Sequence, residues 1–242
     1  MDVGVAIALV GALLGPALAR GVYQMSVDAG SPARHRCAAC GVRLPAGWLR
    51  FAVWTGRCGR CRERLGPPVW QVAAASAIGG FAVGFRLGND PAVPTFLAFS
   101  LGCVLLAFID LAVRRLPDQL TAPLAVFGVI GLGTTAYLGR DMTPLIRGLT
   151  GAALAGGLFL GLAYLKPDED GMGLGDAKLG AVLGLFLGYL GWGELTLGVF
   201  AGTFAASVFA LFMLRTGRMT RKSALAYGPF LLLGAFFAVL VG

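Results

Sequence analysis

Apolar and polar positions fall into long blocks along this chain, without the residue-by-residue alternation of a half-buried strand. Apolar stretches long enough to cross a bilayer, roughly 17–25 residues each, run at about 3–19, 69–88, 94–113, 120–138, 146–165, 177–192, 196–214 and 224–241. The pattern predicts an all-α fold: a polytopic membrane bundle of about eight transmembrane helices, with one long polar insertion at 20–68. Within the sixth stretch Gly180, Gly184 and Gly188 recur every fourth residue, the spacing of a small-residue face on which another helix can pack closely.

Composition agrees with the pattern. Of the 242 residues, 57% are hydrophobic and only 13% charged, about half the charged share of a soluble domain. The 38 glycines therefore do not signal disorder, since membrane helices use glycine for packing. Charge adds an orientation. Eight spans place alternate loops on opposite sides, and 17 of the 20 Lys and Arg residues fall in one set, at 20–68, 114–119, 166–178 and 215–223. The other set holds only Arg86, Arg140 and Arg147. By the positive-inside rule the basic set is cytoplasmic and both termini lie outside. The net charge of +8 is thereby explained by topology, and no nucleic-acid partner is expected.

The first span ends in Ala17-Leu18-Ala19, which has the form of a signal-peptidase site. Its leading flank carries Asp2 and no Lys or Arg, whereas a secretory signal begins with basic residues, so a retained helix is expected.

The loop at 20–68 contains Cys37-Ala-Ala-Cys40 and Cys58-Gly-Arg-Cys61. Two CxxC pairs at this separation have the spacing of a zinc site, and four thiolates complete a closed, structural tetrahedron with no position left for water. A cytoplasmic loop is a poor place for disulfides. It also has little apolar material for a core, so bound zinc is expected to supply its folding energy. His35 is expected to be a solvated loop residue and Cys103, in an apolar helix, a small packing residue.

Carboxylates in apolar helices require a reason, because an Asp at a helix centre costs about 2.5–3.5 kcal/mol on insertion scales. Asp110 ends the run Leu101-Gly-Cys-Val-Leu-Leu-Ala-Phe-Ile109, one turn before Arg114. Asp176 closes Gly171-Met-Gly-Leu-Gly-Asp176 and opens the sixth apolar stretch, with Lys178 two positions on. Both reach the cytoplasmic edge from different helices. Two carboxylates in one site act as a unit that shares a proton, the minimal equipment for activating water. On position alone, Asp110 is also suited to pair with Arg114 and Asp176 to cap its helix. Asp118, after Pro117, reads as a turn and helix-start residue, and Asp168, Glu169 and Asp170 as solvated loop charge. The glycines at 171, 173 and 175 follow no strand, so a dinucleotide loop fails its context test.

The double-CxxC loop, the Asp ahead of Leu116-Pro-Asp118, the segment Gly173-Leu-Gly-Asp176 with Lys178, and Tyr227-Gly-Pro-Phe230 together resemble the prepilin (type IV leader) peptidases, membrane aspartyl proteases of the GxGD class. The resemblance covers most of the chain and implies that Asp110 and Asp176 are the catalytic pair. It implies removal of a short basic leader from type IV pilin-like or pseudopilin precursors at the cytoplasmic face of a bacterial inner membrane. It further implies a division into a first transmembrane helix at 1–19, a cytoplasmic zinc-binding loop at 20–68 and a transmembrane peptidase core at 69–242, with those precursors and the lipid bilayer as partners.

Many members also methylate the new N-terminus with S-adenosylmethionine, and here the sequence departs from them. The family's Gly-Ser-Phe-Leu-Asn reads Gly15-Pro-Ala-Leu-Ala19, and its Pro-x-Val-Glu reads Pro68-Val-Trp-Gln71, while Gly56-Arg-Cys58 is kept. The resemblance supports the peptidase and leaves the cofactor without two of its polar groups. Two other classes compete on the residues alone. A proton- or cation-coupled transporter would use the two carboxylates as a relay and give solute flux in vesicles. A scaffold docking a partner through the cysteine loop would tolerate loss of both aspartates.

Overall fold

The computed structural model describes residues 2–27, 31–44, 55–165, 173–218 and 226–242. The acidic triplet Asp168, Glu169 and Asp170, together with Gly171, lies outside them. Among the described residues there are eight helices: α1 (Val3–Met25), α2 (Val69–Leu87), α3 (Val93–Val113), α4 (Asp118–Leu138), α5 (Thr143–Leu165), α6 (Leu174–Leu190), α7 (Trp192–Arg215) and α8 (Gly228–Val241). Five of them, α1, α3, α4, α5 and α7, are long and apolar enough to cross a membrane unaided. The chain thus has the make-up of a multi-pass membrane protein.

The first helix outruns its apolar stretch. It continues through Arg20 to Met25, so that Tyr23 emerges past the last lipid-compatible turn. Hydropathy ends at the first arginine; backbone hydrogen bonding does not.

Small residues set the tightest pairings, which join α1 to α2, α5 to α6 and α7 to α8. At the crossing of α5 and α6, a Cβ on Gly184 would strike the carbonyl of Gly151, and one on Gly188 would lie 3.2 Å from Gly148 Cα. The face formed by Gly180, Gly184 and Gly188 is therefore in use: Phe159 packs on the first and the α5 backbone on the other two. Without a hydrophobic gradient inside lipid, such close backbone approach supplies the van der Waals contact that holds helices together.

The most enclosed element is α6, with ten of its 17 residues buried. At 1.5 Å per residue it is about 25 Å long, shorter than a hydrocarbon core of roughly 30 Å, yet the helices around it meet the lipid in its place. Its Phe186 stacks on Phe99 of α3 at 3.9 Å between ring centroids and meets Phe96 edge-on at 5.3 Å. Cys103 is buried in the same core, as expected of a small packing residue.

At the end of α6 away from Asp176, Arg147 of α5 donates to the carbonyls of Gly188, Tyr189 and Leu190 at 2.7, 2.6 and 2.8 Å. These are orphan carbonyls of a helix C-terminus, where a cation is favoured. Arg86 pairs with Glu194 at 2.8 Å. Two of the three arginines that break the charge asymmetry thus have structural partners. Arg147→Ala is expected to destabilise the protein by about 2 kcal/mol, the scale of losing charge-assisted hydrogen bonds to these part-buried acceptors, with Arg147→Lys recovering part of it. Denaturation of detergent-solubilised protein measures both.

Candidate functional site

At the end of the bundle where α3 and α4 join and where α6 and α8 begin lies a cavity of about 570 Å³. Asp110 and Asp176 both line it, with Arg114, Arg115, Asp118, Lys178 and Tyr227. Part of its wall is Met25, Val27, Ser31 and Ala33, so the segment following α1 helps to enclose it.

Asp110 sits in the last turn of α3, only 4% exposed. It does not pair with Arg114. That residue instead adopts a left-handed conformation (φ 51°) that ends the helix, its amide donating to the Asp110 carbonyl at 2.8 Å. The Oδ2 atom of Asp110 is buried without a hydrogen-bond partner among the described residues. Gly228, at the start of α8, is pressed against this carboxyl: a Cβ there would lie 2.8 Å from Oδ2 and 3.3 Å from Cγ. Any side chain at 228 would have to displace it.

Asp176 lies in the first turn of α6. Its Oδ2 accepts the Gly173 amide at 3.1 Å, and its own amide donates to the Gly173 carbonyl at 3.0 Å. It therefore caps its helix as position suggested, and does so with one oxygen while it also lines the cavity.

Asp118 starts α4 as expected, and it does more: Lys178 of α6 reaches it at 2.6 Å. The pair, exposed on both sides, bridges the two helices at the cavity rim. Nothing in the sequence marks two residues 60 positions apart as partners beyond their common membrane level.

The cysteine loop folds as a repeated unit. Arg36-Cys-Ala-Ala-Cys-Gly-Val-Arg-Leu44 and Arg57-Cys-Gly-Arg-Cys-Arg-Glu-Arg-Leu65 share the pattern Arg-Cys-x-x-Cys-x-x-Arg-Leu. Each makes the same turn. In the first, amides of Cys37, Gly41 and Leu44 donate to carbonyls of Val42, Cys37 and His35; in the second, those of Cys58, Arg62 and Leu65 donate to Glu63, Cys58 and Gly56. His35 is exposed and contributes its carbonyl. Leu44 and Leu65 are buried with Cys37, Cys58 and Tyr23 of α1. The Tyr23 hydroxyl accepts the Ala38 amide at 2.9 Å and donates to the Arg36 carbonyl at 3.2 Å, tying the unit to the end of α1.

The two turns bring four thiols together, all sulfurs within 4.8 Å of one another. Cys37 and Cys61 are 3.7 Å apart at sulfur, as are Cys40 and Cys58. Sulfurs about 2.3 Å from a tetrahedral metal stand roughly 3.8 Å from each other, so Cys37, Cys40, Cys58 and Cys61 are placed to hold a metal ion. Amides of Cys61 and Arg60 directed at the Cys58 sulfur bring its thiol down to about 6, while the crowding of the other thiols around Cys61 pushes that thiol up, as in a set that shares its protons.

Comparison with known proteins accords with this arrangement. Residues 97–241 match the type IV leader peptidase family. The chain is 34% identical over 235 residues to a prepilin leader peptidase/N-methyltransferase of Burkholderia pseudomallei (strain K96243), covering 89% of this chain and 72% of that protein. It is 29% identical over 216 residues to one of Pseudomonas putida (86% and 72%) and 33% identical over 194 residues to one of Legionella pneumophila (80% and 66%). No solved structure matches. The chain belongs to the type IV leader peptidase family, and so is an aspartic-type membrane endopeptidase.

One residue of the second turn is out of keeping with its partner. Gly41 has φ 67° and its equivalent, Arg62, has φ 59°. Left-handed backbone costs a side-chain-bearing residue roughly 1–2 kcal/mol. Arg62→Gly is therefore expected to slow metal release from the four-cysteine unit to a competing chelator, about fivefold for 1 kcal/mol.

Proposed function

We propose that this peptidase removes the short basic leader from type IV pilin-like or pseudopilin precursors at the cytoplasmic face, with Asp110 and Asp176 as the catalytic pair. The observation that carries the reading is that two carboxylates from separate helices line one cavity at the basic end of the bundle. One takes a proton from a water molecule, whose oxygen then attacks the scissile carbonyl. The other protonates the departing nitrogen. The C–N bond breaks, leaving a carboxyl on the leader and a free amine on the mature chain. Sidedness follows from the arginine asymmetry, and Arg86 and Arg147 do not oppose it because each is engaged structurally.

Zinc is the metal proposed for Cys37, Cys40, Cys58 and Cys61, since four thiolates at tetrahedral separations suit it and leave no open position. Its role is structural. Among the described residues the apolar interior of the unit is two leucines, Val42 and Tyr23 beside the cysteines, so bound metal would supply folding energy to it.

The relatives' names include methyl transfer, and the residues here do not fit its cofactor, S-adenosylmethionine. Ala19 is buried against Val72 and Val104 and offers no polar group, and the exposed Gln71 is neutral where methylating members carry Glu. A neutral amide cannot take the amine's proton. The exposed Glu63 is the carboxylate of the described loop that could substitute.

Asp110→Asn and Asp176→Asn are each expected to lower precursor cleavage by at least about 100-fold while the protein still inserts, and Asp118→Asn to stay active. Gly228→Ala, which moves the Asp110 carboxyl, is expected to cost about tenfold or more. Leader loss from purified precursors on gels reads all four; full cleavage by either asparagine variant would remove the assignment. Elemental analysis of protein prepared without chelator is expected to give about one zinc per chain, and Ser at any of the four cysteines to abolish it. Mass spectrometry of the mature substrate is expected to show a free, unmethylated N-terminus even with cofactor present. A stoichiometric methyl group dependent on this enzyme would refute that.

A further inference from the structure

Each turn of the cysteine unit is closed by one antiparallel bridge, and both bridges pair arginine with arginine: Arg36 with Arg43, and Arg57 with Arg64. Residues opposed across such a bridge project to the same face with Cβ atoms about 5 Å apart, where like charges are destabilising. The arrangement occurs twice in one small unit. Arg34, Arg60 and Arg62 are exposed beside these four, which are themselves exposed.

The seven arginines of the described unit stand against a single acidic side chain. Glu63 is the one carboxylate in residues 31–68. The two ion pairs among the described residues lie elsewhere, at Arg86–Glu194 and Lys178–Asp118. A divalent metal with four thiolates would add two negative charges, still fewer than the arginines. Orienting a chain in a membrane requires a number of basic residues on one side, and is indifferent to whether they face one another. The opposition of like charges is thus left unexplained by topology.

Guanidinium forks held side by side suit phosphate oxygens, each able to donate two parallel hydrogen bonds. The unit is also tied to the end of α1, a helix long and apolar enough to cross a membrane. Its Arg36 carbonyl and Ala38 amide bind Tyr23, one helical turn past the end of the apolar stretch of α1, and Gly66 rests against Tyr23 and the Ala19 carbonyl. Phosphates at that level belong to lipid. We propose that the pairs Arg36–Arg43 and Arg57–Arg64 form a docking surface for the phosphate headgroups of anionic lipid in the membrane that carries the chain. Bound headgroups neutralise the opposed arginines and hold the unit, and with it the Ser31–Ala33 wall of the cavity, against the bilayer.

The test uses the full chain in nanodiscs of phosphatidylcholine alone and of phosphatidylcholine with phosphatidylglycerol. Hydrogen exchange of residues 31–44 and 55–66 is compared for the native protein, Arg43→Gln, Arg64→Gln and the two Lys variants. In the anionic discs the native unit is expected to exchange several-fold more slowly than in the zwitterionic ones, with roughly fivefold per arginine engaged as the upper scale. The Gln variants are expected to change sign with the lipid. In zwitterionic discs they exchange no faster than the native protein, because a repulsion has gone; in anionic discs they exchange faster, because a contact has gone. The Lys variants keep most of the anionic-lipid protection. A variant that merely unfolds would exchange faster in both lipids, and in that case native mass spectrometry of the intact protein, counting retained phosphatidylglycerol against phosphatidylcholine, decides. Equal protection in the two lipids, unchanged lipid selectivity in the Gln variants, or equal protection by inorganic phosphate or a short DNA duplex in zwitterionic discs would each overturn the proposal.

Discussion

A carboxylate at the edge of a bilayer has to be kept in contact with water, and the architecture of this chain is arranged around that requirement. Asp110 is buried within an apolar helix end and Asp176 opens the most enclosed helix of the bundle. Without a water-filled space between them, both would be charges stranded beside lipid. The cavity opens such a space to both side chains. Its walls are the ends of elements whose other ends are fixed elsewhere: α3 and α6 by aromatic stacking through Phe99 and Phe186, and α6 again by Arg147 at its far terminus. A short central helix held at its far end is what lets two acidic side chains from distant parts of the sequence share one volume.

What the sequence made legible follows a physical division. Helices in lipid announce themselves because nothing but an apolar run survives there, and the exceptions to apolarity, Asp110 and Asp176, were visible for the same reason. The four cysteines were readable because metal geometry demands a fixed local spacing. Contacts between elements were not. Gly228 gives no sign that it faces Asp110, since a glycine before a proline at a helix start is ordinary on its own. The Lys178–Asp118 pair, the Arg147 clamp and the Tyr23 anchor each join residues far apart in sequence or across a polar boundary. Tyr23 also fell beyond the expected end of the first span because hydropathy measures lipid compatibility and not helicity. The repeat in the cysteine unit was available to sequence comparison, as a pattern shifted by 21 residues, but attention to thiols alone hides it.

Membership of the type IV leader peptidase family gives the aspartates and the cysteine unit a common setting. The segment that leaves α1 lines the cavity before it enters the cysteine unit, and the unit returns the chain to α2 beside Tyr23. The unit is thus continuous with the cavity wall, with Ser31 and Ala33 as the shared stretch. Through that continuity a metal held by the four cysteines would steady the cavity wall from outside it.

The twofold repetition within that unit has a consequence for how it comes apart. Each turn donates two sulfurs and one leucine, so neither half-site has a complete coordination sphere or a core of its own. A partly folded state with one turn intact would hold two thiolates and a single buried leucine, too little to persist. An ion held by all four sulfurs would join two copies of one short motif that otherwise meet, among the described residues, through their leucines and Tyr23, so that binding of metal and closure of the pair become a single cooperative event.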